Sequence, residues 1–527
     1  MAVRSVDART VKSWLSDGGE IAFVDVREHG QYGEGHPFLA VSVPYSRFEP
    51  GLVALVPNPA VRLVLMDGGD GVAERAAQRA EALGYSGISV MSGGAPGWAA
   101  AGYTLFAGVN VPSKTFGELV EHRRHTPRIS ATELRRRTEA GDNIRIFDGR
   151  TFAEFRRMSI PGGVSCPNGE MALHLAEITA DPDATIVVNC AGRTRSIIGA
   201  ETLITLGVTN PVLALENGTQ GWFLAGLDLE RGAKARLSHG SPPQVSEDDR
   251  DRARALALRQ GAGFASAAEV QGWLGEAART TVLIDVRTQE EHVGDAPAGI
   301  VHAPGGQLIQ ATDQWVGVRG ARLVLIDSEM VRAPVAAGWL AQLGHEVWVL
   351  EGGMEAARSL KMPHGPKAPA LPHLDTVEAR ELATAMEQGR VLVLDLRPGM
   401  SFRRQHVPGA TWSIRPRLSA ALSRSSEPVV LVADDPDTAQ LAVVDLKALG
   451  AGDVRLLQGG LDAWTSAGLA VEASPDIPTD AECIDYLFFV HDRHEGNAEA
   501  ARRYLAWETG LIARIDEQER SVFRISG

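Results

Sequence analysis

Short apolar runs alternate along this chain with longer stretches of helical periodicity, and the alternation is written four times. In each copy an apolar run ends in Asp-x-Arg, at Asp25/Arg27, Asp148/Arg150, Asp285/Arg287 and Asp395/Arg397. A small turn follows, best preserved as Ile160-Pro161-Gly162-Gly163 and Val407-Pro408-Gly409-Ala410. A second apolar run comes next: Val61 to Met66, Ile186 to Asn189, Leu323 to Ile326 and Val429 to Val432. A helical stretch then closes on Leu-Gly, at Gly84, Gly207, Gly344 and Gly450. A third apolar run leads to a glycine turn at Gly94, Gly218, Gly353 and Gly460, with Trp98, Trp222 and Trp464 four residues beyond it and Ala357 in the third copy. The first three copies place 42 positions between the Asp of Asp-x-Arg and the residue after the second run (25 to 67, 148 to 190, 285 to 327), and the fourth places 38 (395 to 433). From that residue to the Leu-Gly glycine is 17 in all four.

Short β-branched runs joined by helices of ten or more residues specify parallel strands with right-handed crossovers and helices on both faces. The expected fold is therefore α/β: four tandem modules, each a doubly wound, mostly parallel sheet, followed by a helical tail. The expected boundaries are 1–108, 123–232, 262–361 and 371–473, with a C-terminal extension at 474–527. Residues 233–262, charged and containing Ser241-Pro242-Pro243, read as a linker, as do residues 361–372 with Pro363, Gly365, Pro366, Pro369 and Pro372. In the tail, a helix from about Asn497 to Gln518 carries Tyr504, Leu505, Leu511, Ile512 and Ile515, an amphipathic docking face.

Composition narrows the function. An apolar content of 44% and a charged content of 22% suit packed cores. A net charge of −14 excludes a nucleic-acid partner, which needs clustered Lys and Arg. No apolar run is long enough to span a membrane, so no membrane partner is expected. Met1-Ala2-Val3-Arg4-Ser5 has no apolar core of a secretion signal. The three cysteines, Cys166, Cys190 and Cys483, are too few for a disulfide framework, so a reducing cytoplasm is the expected location. Cys483, His491 and His494 offer three ligands where a structural zinc site wants four, so no metal is expected, and no cofactor.

The residue after the second run sits at the carboxyl end of a strand, where open α/β sheets bind ligands. In the second copy it is Cys190, followed by Ala191, Gly192, Arg193, Thr194, Arg195 and Ser196. A helix opening there presents unpaired N–H groups, and two arginines add positive charge; both favour a thiolate. Gly192 lets successive N–H groups curl inward as an anion nest. The other copies hold Asp67, Asp327 and Ala433 at the cysteine position, in acidic loops. An Asp there is a good N-cap, so Asp67 and Asp327 are expected to fill the nest themselves. The repeated Asp-x-Arg is read as an ion pair that pins the strand end, Trp222 as a packing residue, and Cys166 as a buried structural thiol.

The Asp-x-Arg, Pro-Gly-Gly, Cys-loop and Gly-x-x-x-Trp series resembles the rhodanese family of sulfurtransferases over about nine tenths of the chain. The resemblance implies a thiosulfate-sulfurtransferase type of enzyme that stores a sulfane sulfur as a persulfide. Carried over by position, Cys190 is the nucleophile, the N–H groups of Ala191 to Ser196 cradle the persulfide, and Arg193 and Arg195 hold the oxyanion. The implied partners are a small anionic donor such as thiosulfate, a thiol or cyanide acceptor, and a protein that collects the sulfur. Glutathione persulfide and 3-mercaptopyruvate remain open as donors. Two alternatives stand beside it: a persulfide-carrying scaffold that delivers sulfur to a partner protein, and a phosphatase. Phosphatase loops are one residue longer between Cys and Arg, and here Ser196 stands where that arginine would fall. The three cysteine-less copies are expected to be non-catalytic.

Overall fold

The computed structural model describes residues 3–237, 243, 245–363, 365–367, 370–422, 427–490, 493 and 496–526. It contains four five-stranded sheets, one per sequence copy, and every strand pair is parallel. Each sheet has the spatial order first, fifth, fourth, second and third strand. In the second copy these strands are Arg128–Ile129, Ile144–Asp148, Val164–Ser165, Thr185–Asn189 and Val212–Leu215. Helices cover both faces, as crossovers in parallel sheets require. The buried strand Thr185–Asn189 reads as a continuous apolar run because it is covered on both sides. It pairs with Ile144–Asp148 in full register, from Ile144 against Thr185 to Asp148 against Asn189. That register brings Asp-x-Arg and the residue after the second run to one sheet edge.

All four Asp-x-Arg pairs are closed ion pairs. Arg150 donates from Nε and Nη2 to the two Asp148 oxygens at 2.9 and 2.7 Å, and Arg27, Arg287 and Arg397 repeat the fork. Asn189 Nδ2 adds a bond to Asp148 at 2.8 Å. The pair is a strand-end clamp, since each arginine also reaches back to its own module; Arg150 binds the Met158 carbonyl at 2.6 Å.

The modules are not beads on a string. The stretch 233–262, read above as a linker, contains a 13-residue helix, Glu247–Arg259, whose Ala253, Leu256 and Ala257 are buried. A second helix, Val111–Arg124, joins the first two modules and buries Phe116 in the core shared with Ile197, Ile198 and Trp339. The second and third modules meet closely: Trp339 Nε1 donates to Thr202 at 2.9 Å, and a Cβ added to Gly169 would lie 2.7 Å from the Gly306 nitrogen. Gly169 and Gly306 are equivalent positions of their copies, so two backbones approach where neither can carry a side chain. The fourth module is tied to the first by buried Arg415, which binds Glu49 and Asp445. The tail helix ends earlier than the sequence pattern suggests, spanning Ala498–Gly510, and is followed by a 3₁₀ turn and a short helix at Glu517–Arg520. Tyr504, Leu505, Leu511 and Ile515 are buried against the modules. Among the described residues no helix is long and apolar enough to cross a membrane.

Candidate active site

Cys190 follows the strand Thr185–Asn189 and is 2% exposed. The helix Thr194–Thr205 starts four residues later. A glycine turn shapes the loop between them. Gly218 has φ +53°, and a Cβ there would meet the Cys190 carbonyl oxygen at 2.2 Å. The next N–H groups grip the loop's carbonyls: Thr219 donates to Cys190 at 2.8 Å and Gln220 to Ala191 at 3.1 Å. With these carbonyls drawn away, the loop's N–H groups face inward. Among the described residues, nothing accepts from the N–H groups of Ala191 to Ser196. Asn168 Nδ2 closes the far side on the Arg195 carbonyl at 2.8 Å.

The first and third modules keep the turn and fill the nest. Asp67 accepts from the N–H groups of Gly69 at 2.8 Å and Ala73 at 3.0 Å. Asp327 accepts from Val331 at 3.0 Å and Arg332 at 2.9 Å, the positions equivalent to Thr194 and Arg195. In the fourth module Ala433 brings no carboxylate, and Asp435 caps the helix instead, accepting from Asp437 at 3.1 Å.

Both arginines of the loop are engaged by carboxylates of the protein. Arg193 turns to the helix Val111–Arg124, forking onto Glu118 at 2.6 and 2.8 Å and also binding Glu121. Arg195 forks onto Glu154 at 2.8 and 2.7 Å and touches Gln307 of the third module at 3.4 Å. A buried guanidinium needs carboxylate partners, and each has found one within the protein. Burial opposes the Arg195 charge, but Glu154 and then the Cys190 thiol more than offset it, so its pKa is raised. Arg195 thus keeps its charge near Cys190 with its fork engaged by Glu154. Glu154 is held down to about 2, because Arg195, Thr151 and Arg150 outweigh its burial.

The sequence pattern did not reveal the walls. Glu508 of the tail helix is 0% exposed and accepts from Thr194 Oγ1 at 2.8 Å. Lys114, on the helix Val111–Arg124, lies 3.4 Å from the same Glu508 oxygen. Gln220, on the glycine-turn helix, is buried beside Gly192, and Ser196 Oγ is buried without a partner among the described residues. Cys166 is buried, and burial raises its pKa well above the ordinary thiol value. Cys483 is also buried, with its pKa raised by burial, while His491 and His494 lie outside the described residues. Trp222 packs in its module's core and donates to the Asp228 carbonyl at 2.9 Å.

Comparison with known proteins places this geometry. The model of the rhodanese-like domain matches residues 7–101, 130–225, 266–359 and 378–467. The crystal structure of a thiosulfate sulfurtransferase from Pseudomonas aeruginosa is 40% identical, covers 99% of this chain and 100% of its own, and superposes with a TM-score of 0.89. An HTH-type transcriptional regulator of Mycobacterium tuberculosis is 36% identical over 112 residues, which are 21% of this chain and 47% of that protein. The chain thus spans about half the length of that curated relative. Four matched copies, four sheets of one topology and a whole-length structural relative make this chain a member of the rhodanese-like family, with four rhodanese-like domains in tandem.

Proposed function

We propose that the chain is a sulfurtransferase in which Cys190 accepts a sulfane sulfur from thiosulfate or a similar donor and passes it to a thiol or cyanide. The Cys190 thiolate attacks the outer sulfur of thiosulfate; a new S–S bond forms, the donor's S–S bond breaks, and its electron pair leaves with sulfite. The acceptor then attacks the sulfane sulfur, and the pair of the broken bond returns to Cys190 as thiolate. The reading rests on one observation: among the described residues, six loop N–H groups around Cys190 lack an acceptor, while Asp67 and Asp327 occupy equivalent donors in two sister modules. A persulfide anion would take the place of those carboxylates. The loop residues Ala191, Gly192, Thr194 and Ser196 act through their N–H groups, Arg195 through its charge, and Arg193 by anchoring the loop to Glu118. The whole-length likeness to a thiosulfate sulfurtransferase supports the donor class. Three unpaired thiols fit a reducing cytoplasm. Intact-mass measurement after incubation with thiosulfate tests the reading: one added sulfur is expected on the wild type, and none on Cys190→Ser.

A further inference from the structure

The loop around Cys190 is walled by groups that lie outside its own sheet. The tail helix crosses it with Tyr504 and, one turn later, Glu508. A Cβ built on Gly192 would lie 3.2 Å from Glu508 Oε2, 3.5 Å from the Tyr504 ring and 3.6 Å from Gln220 Nε2. Three side chains therefore converge two residues beyond the thiol. Two of them, Glu508 and Gln220, carry buried polar atoms without a partner among the described residues. Glu508 Oε1 is held by Thr194 and Lys114, but Oε2 is buried with no partner among the described residues. Both amide atoms of Gln220, which is 2% exposed, are likewise unpartnered. A buried carboxylate oxygen without a donor is costly, so the group that satisfies it carries a donor.

The loop thus has two kinds of neighbour near Gly192. Backbone N–H groups suit sulfur bearing negative charge, and a carboxylate oxygen suits a cation or hydrogen-bond donor. A bare dianion meets the first favourably and the second with like-charge repulsion. A small thiol bearing an ammonium group meets both, with its sulfur at Cys190 and its nitrogen at Glu508.

Resting on the sulfurtransferase reading, we infer that Glu508, with Gln220, is a specificity-determining residue that selects a 2-aminothiol as the sulfur acceptor. The acceptor loses its thiol proton to solvent, its sulfur attacks the sulfane sulfur of the Cys190 persulfide, and the S–S bond to Cys190 breaks. The aminothiol leaves as its persulfide, and the electron pair stays on Cys190 as thiolate. Lys114 lies beside Oε1, which leaves Oε2 for the ammonium.

The test is single-turnover. The full chain is loaded with thiosulfate, desalted, and mixed with cysteamine, 2-mercaptoethanol or 3-mercaptopropionate, and loss of the added sulfur is followed by intact mass. Comparing each variant with wild type removes the intrinsic reactivity of each thiol. Glu508→Gln, which keeps an oxygen for Thr194, is expected to slow cysteamine by roughly 10- to 100-fold relative to mercaptoethanol, the worth of one charge-assisted hydrogen bond, and to speed mercaptopropionate. Glu508→Asp keeps the charge but withdraws the oxygen, and is expected to lose part of the cysteamine preference. Equal slowing of all three thiols by Glu508→Gln would reduce Glu508 to a tail anchor and overturn the inference. An unchanged cysteamine preference in Glu508→Asp would assign the effect to distant charge, which also overturns it. A wild type that gains no sulfur on Cys190 removes the sulfurtransferase reading and this one together; a sulfur gained but handed equally to all three acceptors by wild type and variants removes only this one.

Discussion

The second and third modules frame their loops with the same contacts around different strand-end residues. Arg195 forks onto Glu154, and Arg332 at the equivalent position forks onto Glu291 at 2.8 and 2.7 Å. Thr151 and Thr288 cap the preceding helices through the same capping box. Gly218 and Gly353 adopt the same left-handed turn at φ +53° and +55°. The difference is the residue at the strand end: a thiol leaves the N–H nest open, whereas Asp327 closes it with its own carboxylate. The third module also adds Glu329, paired with Arg332 at 2.5 Å, and Glu170 from the second module. In the first and third modules an aspartate at the strand end engages the N–H groups that the second module leaves without an acceptor among the described residues.

The largest expected effect removes the distinguishing atom. Cys190→Ser should reduce thiosulfate:cyanide sulfurtransfer to below a few per cent of wild type, because a hydroxyl forms no persulfide, while Cys166→Ser and Cys483→Ser keep most of it. A steady-state cyanide assay decides it; substantial turnover in Cys190→Ser would end the assignment. The reverse exchange should be far weaker. Asp327→Cys in a Cys190→Ala background restores only slight activity, because Glu329 opposes an anionic donor. Adding Glu329→Gly should raise it about tenfold, the effect of one pKa unit on the new thiol. Wild-type turnover from Asp327→Cys alone would show the acidic loop to be no obstacle.

Stability sharpens the comparison on a smaller scale. Asp327→Ala should cost about 1 kcal/mol, the ordinary worth of a helix cap, and Cys190→Asp should gain a similar amount as it kills activity. Opposite shifts of a few degrees in thermal melts are the expected pattern; parallel shifts would remove the capping account. The smallest effect is in acid. Glu154 is held at about 2, below its ordinary value, so the unfolded chain binds more protons there than the folded one. Stability from the Glu154–Arg195 pair is present above about pH 4.5 and is lost as pH falls toward 2. Melts across that window should steepen less in Glu154→Gln than in wild type.

The fourfold repeat could be read directly from sequence, because a parallel sheet covered on both faces leaves long apolar runs at fixed spacing, and Cys190 stood out by replacing an acidic residue at a repeated position. The helices between modules could not. Val111–Arg124 buries Ser113, Thr115 and Glu118 alongside Phe116, so no apolar stripe marks it. The partners of Arg193 and Arg195 were hidden for a related reason: Glu118 and Glu154 are placed by tertiary packing, and charge counting within the loop cannot see them. Glu508 was hidden too, since in Ala498–Gly510 it reads as a surface charge and its partners Thr194 and Lys114 belong to distant segments.

Thr194 and Glu508 are 314 positions apart. At ribosomal rates of about 5–20 residues per second, the nascent second module emerges with its thiol loop roughly 15 to 60 s before the helix that covers it. During every round of synthesis the Cys190 loop thus passes through an interval without the Thr194–Glu508 contact that the finished protein makes.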